Sequence, residues 1–150
     1  SALLFQIIIS KNIEALKHFF SNIQINKNMK DNENRNLMHY LSIIPYKDIK
    51  EIIYTLDFIS LINQRDNKNK TPIHYAISNY NYDLIYYMLD VFTPSDKNEL
   101  NDLILISAKH FNLKEFEKLM LKLKSFGLNI NDIVKYKDKE KRNALSECLK

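Results

Sequence analysis

The chain has 150 residues, 45% of them hydrophobic and 27% charged, with a formal net charge of +4. That is enough apolar content for one buried core, which excludes a disordered tail. One glycine and one cysteine (Cys148) exclude a glycine-rich phosphate loop, a dinucleotide fingerprint, an internal disulfide and a multi-cysteine zinc site.

The scarcity of glycine argues for helices joined by asparagine-rich loops, because Asn also tolerates left-handed backbone. From the start of the chain, Leu4, Ile7 and Ile8 make one apolar helical face, and Ile13, Leu16, Phe19 and Phe20 make a second. The apolar stretch from 2 to 9 is broken by Gln6 and falls short of the roughly 20 residues needed to span a bilayer. It also lacks the basic flank and cleavage site of a signal peptide, so no membrane insertion is expected. An intracellular home, cytoplasmic or nuclear, fits the single cysteine.

Next come Asp31 and Asn36, five residues apart, the second placed to cap a helix beginning Leu37-Met38-His39-Tyr40-Leu41. Ile49, Ile52 and Ile53 form the face of the following helix, with Pro45-Tyr46 in the turn before it. Thirty-five residues after Asp31 the pattern recurs, as Ile62-Asn63-Gln64-Arg65-Asp66-Asn67-Lys68-Asn69-Lys70-Thr71-Pro72-Ile73-His74-Tyr75-Ala76. Thr71 is a good N-cap and Pro72 sits at the first helical position, where its missing N–H costs nothing. Asn81, then Leu84, Ile85, Met88 and Leu89, continue into a second helix of that unit.

Beyond Leu89 no such loop precedes Leu103. Thr93-Pro94-Ser95-Asp96 reads as the cap and proline start of an early or lengthened helix, and Asp102 is also a candidate N-cap. Phe116, Leu119 and Met120 mark the partner helix, and Gly127 falls where a helix should stop. A third Asp/cap pair, Asp138 and Asn143, begins a last unit.

The segment around Asp66 to Ala76 resembles the signature of the ankyrin family, V-N-x-x-D-x-x-G-x-T-P-L-H-x-A-A, and Leu128-Asn129-Ile130-Asn131 after Gly127 is similar to its G-A-D-V-N. The resemblance implies an all-α solenoid of stacked helix pairs with short hairpin loops, in repeats 1–26, 27–63, 64–92 and 93–131 and a partial unit 132–150. The chain is expected to be a fragment of a longer protein. Such stacks recognise proteins through their hairpin tips and inner helices. Carried over residue by residue, the expected partner-binding set is Glu33, Arg35, Lys68 and Lys70 at the tips, with Tyr40, Ile43, Tyr75, Asn79, Lys109 and His110 along the inner face. This mildly basic, aromatic surface points to an acidic peptide or loop of a protein partner. The alternative is the targeting or regulatory arm of a larger enzyme, such as a poly(ADP-ribose) polymerase, a kinase or a palmitoyltransferase.

Chemistry in the chain itself is not expected. His39 and His74 occupy equivalent positions, where the resemblance implies loop-tying hydrogen bonds, and they stand too far apart to share one metal with ligand bonds near ~2 Å. No carboxylate shares a readable face with a histidine or nucleophile. His18 reads as a partly exposed helix residue, and His110 as a more open loop residue able to touch a ligand. Tyr54, Tyr86 and Tyr87 read as packing between repeats or covering the outer surface. Lys135 to Arg142 is the one tempting basic run, but Asp138 and Glu140 interrupt it, which disfavours nucleic acid. No catalytic residue, metal or cofactor is assigned.

Overall fold

A computed structural model describes residues 2–92, 94 and 97–127. The described residues form eight α-helices and no strand: α1 (Ala2–Ser10), α2 (Ile13–Asn22), α3 (Leu37–Leu41), α4 (Tyr46–Leu56), α5 (Pro72–Ser78), α6 (Tyr82–Val91), α7 (Lys97–His110) and α8 (Leu113–Ser125), with a 3₁₀ turn at Phe58–Leu61 after α4. The chain divides into two compact units, Ser1–Phe92 and Thr93–Lys150.

In the first unit the helices lie in two rows. α1, α3 and α5 are successive neighbours, and so are α2, α4 and α6. The apolar spacing read from the sequence supplies the contact between them. Leu4, Ile8, Leu16, Leu37, Leu41, Ile49, Ile53, Leu84, Ile85, Met88 and Leu89 are all buried, each contributing roughly 1.5–3 kcal/mol relative to an exposed side chain. α1 buries Leu4, Phe5 and Ile8 and leaves Leu3 62% exposed. The 3₁₀ turn, which periodicity did not reveal, inserts Phe58 and Leu61 beneath α3 and α4.

Caps decide where the short helices begin. Asn12 Oδ1 accepts from Ala15 N at 3.0 Å to start α2. α3 has only five residues, too few to persist alone, and is held by its core contacts and by the reciprocal cap of Asn36 and His39. Thr71 and His74 repeat that cap at α5, with Pro72 at the first helical position. Between α1 and α2 and between α5 and α6 the chain turns through left-handed residues that lack the short polar side chain easing this conformation, Lys11 (φ 56°) and Tyr80 (φ 56°), while Asp57 (φ 51°), which tolerates it better, ends α4.

The second unit contains α7 packed on α8. Its start corrects one expectation. Asp102 is not an N-cap but lies inside a 14-residue helix that begins at Lys97. Leu100, Leu103, Ile104, Ser107, Ala108 and Phe111 are buried at helical spacing; this face runs straight through Asp102, so the helix has no break there to cap. The helix is long, as the sequence suggested, but it starts at Lys97 and Pro94 is not its first residue; Thr93, Ser95 and Asp96 lie outside the described residues. Asn112 caps α8 by accepting from Glu115 N at 2.9 Å. Gly127 closes that helix at φ 77°, its N–H bonded to Lys124 O at 3.0 Å. Leu128 to Asn131, the pair Asp138 and Asn143, the run from Lys135 to Arg142, and Cys148 lie outside the described residues.

Candidate binding surface

Two loops of identical plan precede α3 and α5. In the first, Asp31 Oδ1 accepts from the backbone N–H of Glu33 and of Arg35, each at 2.9 Å. Asp31 N–H in turn donates to Arg35 O at 3.1 Å, and Asn34 sits at φ 64°. In the second, Asp66 Oδ1 accepts from Lys68 N and Lys70 N at 2.9 Å, Asp66 N–H donates to Lys70 O at 2.9 Å, and Asn69 sits at φ 61°. Each aspartate thus closes a tight finger, and each Asn fills a left-handed position that it tolerates better than most residues.

The fingers are joined to one another. Asn67 N–H donates to Glu33 O at 2.9 Å, and His39, buried at the start of α3, spans from its own loop to the next. Its Nδ1 takes the Asn36 backbone N–H at 3.0 Å, so the ring proton resides on Nε2, which donates to Lys70 O at 2.8 Å. Neutrality is enforced twice: burial pushes the His39 pKa down, and a second ring proton would face the Asn36 N–H. At α5, Thr71 N–H likewise donates to His74 Nδ1 at 3.0 Å.

Tyr40 and Tyr75 follow these histidines, and their hydroxyls turn inward. Tyr40 Oη donates to Asp31 Oδ2 at 2.6 Å and its ring stacks on Phe5 with centroids 4.2 Å apart. Tyr75 Oη donates to Asp66 Oδ2, and its ring meets the His39 ring edge-on at 5.3 Å. Burial pushes the Asp31 carboxyl up, but donors from Tyr40, Arg35 and Glu33 outweigh it and hold the carboxyl at about 2. Asp66 is lowered on the same balance, and Tyr75 is raised by burial and by its bond to Asp66.

The expected tip residues therefore differ in kind. Arg35 is engaged inside its finger: Nε lies 2.6 Å from Asp31 Oδ2, Nη1 lies 3.3 Å from Glu33 Oε2, and the guanidinium sits 5.3 Å over the Tyr40 ring. Glu33 shares that pairing and is half-buried. Lys68 and Lys70 are exposed and form no ion pair among the described residues. Ile43 and Asn79 stand at the far ends of α3 and α5 and line a cleft of about 370 Å³ with Tyr46 and Tyr80. Lys109 and His110 belong to the second unit, at the C-terminal end of α7; Lys109 is exposed. His110 is half-buried in the last helical turn rather than in an open loop, because α7 continues through it. His18 is exposed on α2.

The outer helices carry an aromatic cluster. Tyr46 stacks on Tyr87 at 5.0 Å, Tyr54 meets Tyr87 edge-on at 5.7 Å, and Tyr46 Oη donates to Tyr54 Oη at 3.2 Å, tying α4 to α6. The sequence reading placed Tyr46 only in the turn before α4, whereas it is the first residue of that helix, a position that gave no periodic signal. A wider groove of about 580 Å³ between α2 and α4 mixes Lys17, Lys47 and Lys50 with Asp48 and Glu51, so it presents no field of one sign.

Among the described residues no group of three or more His, Cys, Asp or Glu side chains is arranged to hold a metal ion, and no helix is long and apolar enough to cross a membrane. The described residues define an all-α fold built on paired helices. A scan against protein-family models finds no family that matches the chain. A search of curated proteins also finds no match.

Proposed function

We propose that this chain is an ankyrin-type repeat segment whose work is to bind another protein through its fingers and first-row helices. One observation carries the reading: two fingers, thirty-five residues apart, share a hydrogen-bond plan and are locked to each other through Asn67 to Glu33 and through His39 to Lys70. Loops fixed this firmly lose little entropy when a partner lands on them, which favours recognition. The two rows of helices behind them provide the rigid support.

The preferred ligand is an acidic peptide or loop. Its positive counterpart is narrower than the sequence suggested, because Arg35 is already neutralised by Asp31 and Glu33 while Lys68 and Lys70 face solvent. Affinity capture from nuclease-treated lysate of the source cells, comparing the chain with its Lys68→Glu/Lys70→Glu variant, tests the reading. A protein retained by the first and lost by the second supports it. Equal recovery on both moves recognition away from the fingers.

A further inference from the structure

The bond that joins the fingers is a single backbone rung with side-chain amides on either side. Asn67 N–H donates to Glu33 O at 2.9 Å, while Asn34 Nδ2 reaches Arg65 O and Asn67 Nδ2 reaches Asn32 O, each at 3.4 Å. Thirty-five residues after Glu33, the corresponding acceptor on the second finger is Lys68 O, which receives no hydrogen bond among the described residues. The same step from Asn67 arrives at Asp102, which lies within α7 and not in a finger. Residues 67–70 are exposed.

Charge distinguishes the two fingers. The first sets Asp31 and Glu33 against Arg35 and satisfies them internally. The second carries Lys68 and Lys70, which form no ion pair among the described residues, while Asp66 is occupied by Tyr75 and by two backbone N–H groups. Among the described residues, its exposed edge thus carries a carbonyl that accepts no hydrogen bond and two ammonium groups that form no ion pair.

We infer that this edge receives an acidic turn of a partner protein, which adds itself as a third finger. A backbone N–H of the turn completes the rung to Lys68 O, and its carboxylates meet Lys68 and Lys70. The inference rests on the reading of the fingers as the recognition surface and specifies the ligand's shape as well as its charge. A second copy of this chain is a poor occupant, since the acids of its own first finger are already paired with Arg35.

The test is titration of the ¹⁵N-labelled full chain with three synthetic peptides, followed by amide shifts. The first is a disulfide-closed Cys-Asp-Asn-Glu-Asn-Glu-Thr-Cys turn. The second is the same turn N-methylated at its first Asn, which removes the donor expected to fill the rung. The third is a linear peptide of scrambled order and equal charge. The closed turn is expected to shift the amides of residues 66–71 and to bind about fivefold or more tighter than either control, the worth of one net hydrogen bond. Lys68→Gln/Lys70→Gln should abolish the shifts. Equal affinity of all three peptides at residues 66–71 overturns the edge-docking proposal and leaves an acidic ligand standing. No shift at residues 66–71 with any peptide overturns both.

Discussion

His39 Nε2 donates to Lys70 O across thirty-one residues at 2.8 Å, so the first residue row of one helix pair holds the finger of the next. The bond is made by a buried side chain. His39→Ala removes the bond, the reciprocal cap at Asn36 and the edge contact to Tyr75 together. The expected loss is about 2–3 kcal/mol in urea-induced unfolding; a loss under about 0.5 kcal/mol would mean the fingers are held by other means.

Stability should also fall with acid, in two separate windows. Unfolded His39 takes a proton near pH ~6.5, whereas burial holds the folded ring neutral to lower pH. The unfolded chain therefore binds more protons below that point, and the His39 contribution is present above pH ~6.5 and lost as pH falls through the range beneath it. Asp31 acts at lower pH: its carboxyl lies at about 2 in the fold, below the ordinary value of an aspartate. Its contribution, on the order of 2 kcal/mol, is present above pH ~4 and disappears toward pH 2. Unfolding free energies measured from pH 7 to 5 should decline less steeply in His39→Gln than in the original chain; parallel slopes would contradict the assignment.

Tyr80 stands at φ 56° and is 53% exposed. A left-handed L-residue costs roughly 1–2 kcal/mol, and glycine gives back part of that as unfolded-state entropy. Tyr80→Gly should raise the unfolding free energy by about 0.5–1 kcal/mol. At the other extreme, Gly127→Ala places a Cβ in open space but at φ 77°, and should cost about 1 kcal/mol. Thermal unfolding of the two variants should shift in opposite directions.

Arg35→Glu and Lys68→Glu/Lys70→Glu should part company in the folded state alone. The first places a third acid beside Asp31 and Glu33 and removes the cation over Tyr40, with an expected loss of about 1–3 kcal/mol. The second alters exposed groups with no ion pair among the described residues, and should stay within ~0.5 kcal/mol of the original. Circular-dichroism melts of both variants check this before any binding experiment is read.

Much of this was legible in the sequence where one residue type had one physical use. Asn36, Thr71 and Pro72 announce helix starts, Gly127 announces a stop, and Leu84, Ile85, Met88 and Leu89 fall on one face. Misreadings came where several uses compete. Asp102 has capping chemistry, yet the apolar face from Leu100 to Phe111 carries the helix past it. Turns at Lys11 and Tyr80 were hidden because the short connections between packed helices impose positive φ on residues that do not favour it. Tyr40, Tyr75 and Arg35 look like surface anchors in one dimension; only the folded loop shows their polar atoms spent on Asp31 and Asp66.

Where a captured partner touches the chain is read by hydrogen–deuterium exchange of the full chain with and without the retained protein. Added protection at residues 64–71, extending to the first finger at residues 31–36, is the result expected of recognition by the fingers. Protection confined to α4 and α6, around Tyr46, Tyr54 and Tyr87, would contradict it and assign binding to the outer helices.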